Sequence, residues 1–419
     1  MIYSIYGYCR VCGSKEFVEV GSFGMQPLTG IFLDSPHSQP PSAPLELQTC
    51  KSCRLMQLRH EVNREEMYRT YFYRSSINST MVSHLSEIAR QISTEFLPYN
   101  GTIIDTGCND GTFLRSIDRT DIKKIGIDPS DSVNRIDDLS ISIFNEFFPC
   151  DSLAEYLGGR KASVITSISM FYDINDPSEF VRSVCNFLED DGVWIVEMNY
   201  TGDMLFNAAF DMVSHEHVTY YTLETFSALI SRHGLLVFRV ERTSINGGSI
   251  RLYCGRTRKP ERSVSELSEF ESSHRINEIS THQDFYQRCL KFKTALLDLI
   301  HEKKSAGVRL ATYGASTRGN AIILFCGLTT DEIEFAVDRN SEKVGRYCPG
   351  SKIPIVSEDL FRRSAVKSVL VLPYGFLEEF ISREAAYLSN GGEFIIPFPR
   401  LSVLKLDERR QFSMDMSQT

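Results

Sequence analysis

The sequence predicts an α/β protein with two sheets of mainly parallel strands, preceded by a small cysteine-bearing module. Three observations carry that expectation. From about residue 76 to 255, apolar runs of strand length alternate with helical stretches. The same alternation returns after residue 305. Ahead of both, two Cys-x2-Cys pairs stand near the N-terminus. Such alternation lets helices cover both faces of a parallel sheet, whose buried strands then read as nearly continuous apolar runs.

Taken in order, residues 1–75 are expected to be loop-rich, with a proline-dense run at Ser35–Pro44 between the cysteine pairs. Residues 76–260 form the first α/β domain, with strands in IIDTG, KIGID, SVITSIS, GVWIVEM and LLVFRVE. Residues 261–304 are polar and helix-favouring and read as a helical connector. Residues 305–419 form a second, smaller α/β domain, with strands in RLATYGA, EIEFAVD, SVLVLPY and EFIIPFP.

Composition narrows the function class. A hydrophobic content of 42% with 24% charged residues is that of an ordinary globular protein. The net charge of −9, with no basic run of five, argues against nucleic acid as a partner, because binding a phosphate backbone needs clustered Lys and Arg. Apolar stretches such as Ala321–Cys326 and Val369–Pro373 are far shorter than the about 20 residues of a membrane span, so no membrane partner is expected. The start MIYSIYGYCR lacks the charged and apolar regions of a signal peptide, and a cytoplasmic enzyme is the expectation. Eleven cysteines, an odd number, do not suggest a disulfide framework.

Four of those cysteines have a distinct reading. Cys9, Cys12, Cys50 and Cys53 supply four thiolates from two tight turns, the donor set of a structural Zn²⁺. Full cysteine coordination leaves no position for a bound water, so the metal is expected to hold the module together and take no chemical step.

The segment Ile103–Leu114 reads as a strand, a glycine turn and the first turn of a helix. Asp105, Gly107, Asn109, Asp110 and Gly111 lie on it in the pattern DxGxxxG, where a dinucleotide fingerprint would have GxGxxG. That spacing favours an adenosyl ligand without a pyrophosphate, and S-adenosylmethionine is the expected cofactor. About 20 residues further on, Asp128 ends the next strand and is placed to accept hydrogen bonds from ribose hydroxyls. After the following strand, either Met170 or Phe171 is expected to cover the adenine ring or the methionine arm.

His215, Glu216 and His217 stand in a row before Val218–Tyr221, which is read as opening a helix. An HxH pair is a weak metal signal, and a general base is the more physical reading, because histidine titrates near neutral pH. Tyr71 and Tyr73 sit where the first two regions meet, a common place for ligands, and their hydroxyls can donate to a developing oxyanion.

With these motifs in place, the chain resembles the sugar C-methyltransferases that act on nucleotide-linked 4-keto sugars. The resemblance runs through CRVCGS, PLELQTCKSCRLMQL, YFYRSS, IIDTGCNDGTFL, GIDPS, FDMVSHEHVTYYTL, INGGSIRLY, YGASTRGNAI, FAVDRNSEKVGRYCPGSKIPI and PFPR, in one order over nearly the whole length. It implies a zinc-binding module, a central Rossmann-like class I S-adenosylmethionine methyltransferase sheet and a smaller C-terminal Rossmann-like α/β domain that binds substrate. It also implies that His217 removes the proton at C3 of the sugar, with Glu216 beside it, and that the resulting enolate takes the methyl group. Tyr71 or Tyr73 matches a tyrosine near the keto oxygen. Tyr313, Gly314, Ala315, Ser316 and Asn320 look like a turn facing the nucleotide diphosphate, of dTDP or GDP type, with Arg318 neutralising phosphate charge. Two departures stand out: Ser214 replaces a tyrosine usual before the HEH run, and Pro373–Phe376 replaces a tryptophan–asparagine sequence. Methyl transfer to oxygen or nitrogen on the same scaffold is the alternative activity.

Overall fold

A computed structural model describes residues 2–68, 72–406 and 412–416. The N-terminal region is not loop-rich. It carries a four-stranded antiparallel sheet, in spatial order Thr219–Tyr220, Met56–Leu58, Ser42–Cys50 and Phe17–Pro27. The 11-residue strand Phe17–Pro27 slips register against its partner twice, between Glu19 and Gly21 and between Ser22 and Met25. Each slip turns the next side chains to the other face, so the strand shows no period-two pattern in its sequence. Thr219–Tyr220, the outer strand, comes from the next region of the chain.

The central sheet has seven strands, in spatial order Ile141–Phe144, Lys123–Ile127, Thr102–Thr106, Ala162–Ile168, Leu188–Asn199, Ser249–Gly255 and Leu236–Thr243. The first five are parallel; Ser249–Gly255 pairs antiparallel to them, and Leu236–Thr243, antiparallel to it in turn, runs in their direction again. Two of the seven escaped the sequence reading. Ile141–Phe144 is a four-residue edge strand, mostly half-buried. Ser249–Gly255 is interrupted by Arg251, which lies buried against Glu197 with its Nη2 2.7 Å from the carboxylate. At the centre of the fold Trp194 is fully buried among Phe171, Phe180 and Phe226, and its indole N–H donates to Ser167 Oγ at 3.0 Å.

Two helices follow, Arg262–Ser273 and the 27-residue Ile279–Ser305. The longer one packs on the N-terminal sheet: Tyr286 donates to the Ser22 carbonyl at 2.6 Å, and Thr49 Oγ1 lies 2.8 Å from His282 Nδ1. His282 Nε2 faces the Ile276 carbonyl at 2.9 Å and so carries the proton, leaving Nδ1 to accept from Thr49. The last sheet also has seven strands, in spatial order Ile355–Val356, Ala336–Val337, Leu310–Tyr313, Ser368–Val371, Glu393–Ile396, Ser402–Leu406 and Phe412–Met416. Its first five are parallel; Ser402–Leu406 pairs antiparallel to them, and Phe412–Met416 pairs antiparallel to Ser402–Leu406. Both seven-stranded sheets are Rossmann-like. Among the described residues, no helix is long and apolar enough to cross a membrane.

Among the first five strands of each sheet the order reverses once. In the central sheet this happens between Thr102–Thr106 and Ala162–Ile168, and in the last between Leu310–Tyr313 and Ser368–Val371. Connections leave in opposite directions at such a point and open a crevice at the carboxyl ends of the strands, the usual ligand site of these sheets.

Candidate active site

The two crevices share one cavity of about 310 Å³. Gly107, Asn109, Ser169 and Met170 line it from the central sheet, and Ser316, Arg318, Leu372 and Tyr374 from the last. The N-terminal region adds Gly30, Phe32 and Arg64, so all three regions contribute a wall.

On the cofactor side, Gly107 and Gly111 adopt left-handed backbone, with φ of 73° and 75°. The Gly107 and Cys108 N–H groups both donate to the Ile127 carbonyl, at 2.7 and 3.1 Å, tying the turn to the next strand. A β-carbon on Gly107 would stand 2.8 Å from Met170 Cγ, so glycine is what lets the two loops meet. Asp128 lines the cavity; it accepts the Asn109 N–H at 2.9 Å on Oδ2, and the N–H and O–H of Ser130 at 2.8 and 2.6 Å on Oδ1. Asn109 accepts the Ser75 N–H at 3.1 Å and donates to the Tyr73 carbonyl at 3.1 Å, while Asp110 accepts the Ser76 N–H at 3.0 Å. These two residues hold the 73–76 segment over the turn.

Asp105, Asp110 and Gly111 shape the loop from outside the cavity lining. Asp105 is 3% exposed and accepts from Thr166 Oγ1 at 2.7 Å; burial pushes its carboxyl up to about 7. Of the two residues expected to cover the cofactor, Met170 lines the cavity. Phe171 does not: it is fully buried in the aromatic cluster around Trp194.

The HEH segment is positioned by the N-terminal sheet. Thr219 and Tyr220 pair with Gln57 and Met56, so this stretch is extended and the helix starts only at Leu223, capped by Thr222. The expected helix opening at Val218–Tyr221 is thus corrected, because an edge strand claims those backbone groups first. His217 Nδ1 lies 2.7 Å from the Met212 carbonyl, which can only accept. The proton is therefore on Nδ1, and Nε2 keeps a lone pair. The ring lies edge-on to Tyr172, with centroids 4.4 Å apart, and lines the cavity. Burial lowers the His217 pKa to about 4, so the imidazole is neutral at neutral pH. Glu216 also lines the cavity, its Oε1 2.9 Å from where a β-carbon on Gly30 would stand.

His215 is elsewhere. Its Nε2 donates to the Ala43 carbonyl at 3.0 Å, docking the loop on the strand Ser42–Cys50, outside the cavity lining; the expected catalytic role is corrected to a structural one. Tyr73 lines the cavity and is 46% exposed. Tyr71 lies outside the described residues. Tyr172, Asp173 and Asn199 also line the cavity and were not singled out from sequence. Their signal was position: each closes or follows an expected strand at its carboxyl end.

The last sheet overturns more expectations. Ser316 caps the helix Thr317–Cys326 by accepting the Gly319 N–H at 3.0 Å, and it lines the cavity. Arg318 lines it too, but its Nε and Nη2 donate to Asp211 Oδ2 at 2.9 and 2.6 Å, and Nη2 to the Tyr374 hydroxyl at 2.9 Å. Its charge is matched by a carboxylate, so it is not a free cation for phosphate. Tyr313 points into the core of its own sheet, its hydroxyl 2.6 and 3.0 Å from Glu358 and Glu384. Gly314, with φ of 91°, packs on the ring of Pro373. Asn320 is 1% exposed and donates to the Thr29 carbonyl at 2.9 Å, joining the last domain to the first. Lys343, missed from sequence, lines the cavity and donates to the Ala315 carbonyl at 2.7 Å.

The four expected metal ligands converge. The sulfurs of Cys9, Cys12, Cys50 and Cys53 all lie within 4.8 Å of one another, with Cys9–Cys53 at 3.4 Å and Cys12–Cys50 at 3.5 Å. A tetrahedron of thiolates around Zn²⁺ has edges of about 3.8 Å, so the set fits a structural zinc with no open position. Each pair is closed by a left-handed residue, Gly13 at φ 73° and Arg54 at φ 65°, whose N–H returns to the first cysteine carbonyl at 2.8 and 3.0 Å.

Three families match successive stretches of the chain: a zinc binding domain over residues 9–68, a methyltransferase domain over 79–240 and a C-methyltransferase C-terminal domain over 244–399. The C-methyltransferase NovU of Streptomyces niveus is 29% identical over 408 residues, which cover 95% of this chain and 97% of NovU. Two solved structures are similar to part of the chain. An S-adenosylmethionine-dependent methyltransferase of Thermotoga maritima is 14% identical, with 42% of this chain and 92% of that one covered and a TM-score of 0.33. CalO1, a methyltransferase in calicheamicin biosynthesis in its SAH-bound form, is 17% identical, with 43% and 54% covered and a TM-score of 0.33.

Proposed function

We propose that this chain, an S-adenosylmethionine-dependent methyltransferase that matches a zinc binding, a methyltransferase and a C-methyltransferase C-terminal domain in turn, is a C-methyltransferase whose acceptor is C3 of a nucleotide-diphosphate-linked 4-keto deoxysugar. The observation that supports this most is the unprotonated Nε2 of His217, in the same cavity as the cofactor turn. S-adenosylmethionine, when bound, supplies an electrophilic methyl group.

The chain's residues do the rest. The C4 ketone acidifies the C3 proton; His217 Nε2 takes that proton, the electron pair passes onto the keto oxygen, and C3 becomes the nucleophile. The Met212 carbonyl keeps the imidazole in the required tautomer. Asp128 and the turn at Gly107 hold the adenosyl group, with Met170 against it. Tyr73 contacts the sugar, and Ser316 at its helix N-terminus faces the diphosphate. Arg318 acts by joining the C-terminal domain to Asp211, the residue next to Met212.

Two measurements test the reading. His217→Ala should lower turnover by about 10²–10⁴-fold while S-adenosylmethionine binding by calorimetry stays unchanged; near-native turnover would remove His217 as the base. With deuterium at C3 of the sugar, the label should be lost from the methylated product, whereas full retention would assign transfer to oxygen or nitrogen.

A further inference from the structure

Asp173 is a carboxylic side chain of the cavity to which the mechanism above gives no task. It ends the short helical turn Phe171–Asp173 beyond the strand Ala162–Ile168, at the crevice of the central sheet, next to the Tyr172 whose ring touches His217. It lines the cavity together with Glu216 and His217. Its Oδ1 is buried and has no hydrogen-bond donor, and no arginine or lysine among the described residues pairs with it. The charged group that acts on it is Glu216, of the same sign.

An ionised carboxylate in that position has no donor at its buried Oδ1 to offset the desolvation there. Burial first, and then the Glu216 charge, hold its pKa well above the ordinary carboxylate range. A protonated carboxyl group is a hydrogen-bond donor, which an ionised one is not. In its protonated form Asp173 offers an O–H to the cavity that His217 also lines. Carboxylic acids kept neutral by their surroundings are effective donors to an oxygen that gains charge during reaction.

We propose that Asp173 is a further catalytic residue, whose carboxylic acid donates a hydrogen bond to the substrate oxygen that becomes the enolate. The inference rests on the carbon-acid reading above. As the C3–H bond breaks, its proton goes to His217 Nε2 and its electron pair forms the C3–C4 double bond. The former carbonyl pair moves to oxygen, where the Asp173 O–H stabilises it without giving up its proton.

The test separates enolisation from methyl transfer. The full-length enzyme is held with S-adenosylhomocysteine in D₂O, and exchange of the C3 hydrogen is followed by NMR with a dTDP-linked and a GDP-linked 4-keto-6-deoxyhexose as probes. Two variants are compared: D173L, which removes the donor at similar bulk, and D173N, which keeps a donor. D173L should slow C3 exchange and methylation alike, by about 10²–10³-fold, with S-adenosylhomocysteine binding unchanged; D173N should lose much less. Native-like exchange in D173L, or equal losses in both variants, would overturn the role. Loss of S-adenosylhomocysteine binding in D173L would do so as well, by making Asp173 structural. If the native enzyme exchanges neither probe, it is the carbon-acid reading that fails, whatever the variants do.

Discussion

Gly107 shows how narrowly single positions are set. Its φ of 73° and the 2.8 Å gap to Met170 Cγ exclude a side chain, so Gly107→Ala must shift either the turn or Met170. S-adenosylmethionine affinity should fall about tenfold or more, equivalent to about 1.4 kcal/mol or more, with little change in the melting temperature; native-like affinity by calorimetry would show that the turn does not seat the cofactor. Glycine at this place was legible, because a strand, a turn and a helix start were written around it. Side-chain direction was not. Met170 and Phe171 are neighbours, yet one lines the cavity and the other packs on Trp194, a choice made by a local turn. His215 and His217 are equally alike in sequence, and only the carbonyls of Ala43 and Met212 distinguish a docking histidine from one with its lone pair in the cavity. The pairing of Arg318 with Asp211 bridges positions far apart in the chain, so no local pattern announces that its charge is already matched.

At the scale of elements, the N-terminal sheet is the part the sequence hid and the site depends on. The strand Ser42–Cys50 carries the ligand Cys50 and the Ala43 carbonyl that docks His215, while Met56–Leu58 pairs with Thr219–Tyr220 just beyond His217. Zinc therefore fixes the strands on which the HEH loop rests, although it stands apart from the chemistry. Removing the metal with a chelator, or by Cys50→Ser, should cost N-terminal sheet structure and turnover together, because binding free energy of a structural zinc is folding free energy. Re-metallation should restore both. A metal-free protein with native far-ultraviolet dichroism and native activity would contradict this. The cysteine spacing was readable because tight metal turns are local; the strands between them were not, since two register slips erased the alternation and one strand was lent by another region.

For the whole molecule, two seven-stranded sheets set their switch points against one cavity, and the alternation of apolar runs foretold both sheets, though not that they would face each other. Long-range packing decides that, and one of its joints is pH-sensitive. His282, on the long helix, is buried against Thr49 of the N-terminal sheet, and burial lowers its pKa to about 4 from an ordinary 6.5. Below pH 6.5 the unfolded chain takes up a proton there that the folded chain refuses, so this contribution destabilises progressively until about pH 4, by up to about 3 kcal/mol. Buried carboxyls such as Asp105, raised to about 7, act in the opposite direction. The comparison with His282→Asn cancels them: the native protein's stability relative to the variant should decline from pH 6.5 to 4 in denaturant titrations, and a pH-independent difference would refute the linkage. Trp194 gives such experiments an optical readout. It is the only tryptophan in the chain, and it is sealed in the central sheet beneath the cofactor loops. Its emission therefore follows that sheet alone. Stripping zinc can melt the N-terminal strands while the fluorescence maximum stays blue, and a red shift dates the moment when the methyl-transfer domain itself opens to water.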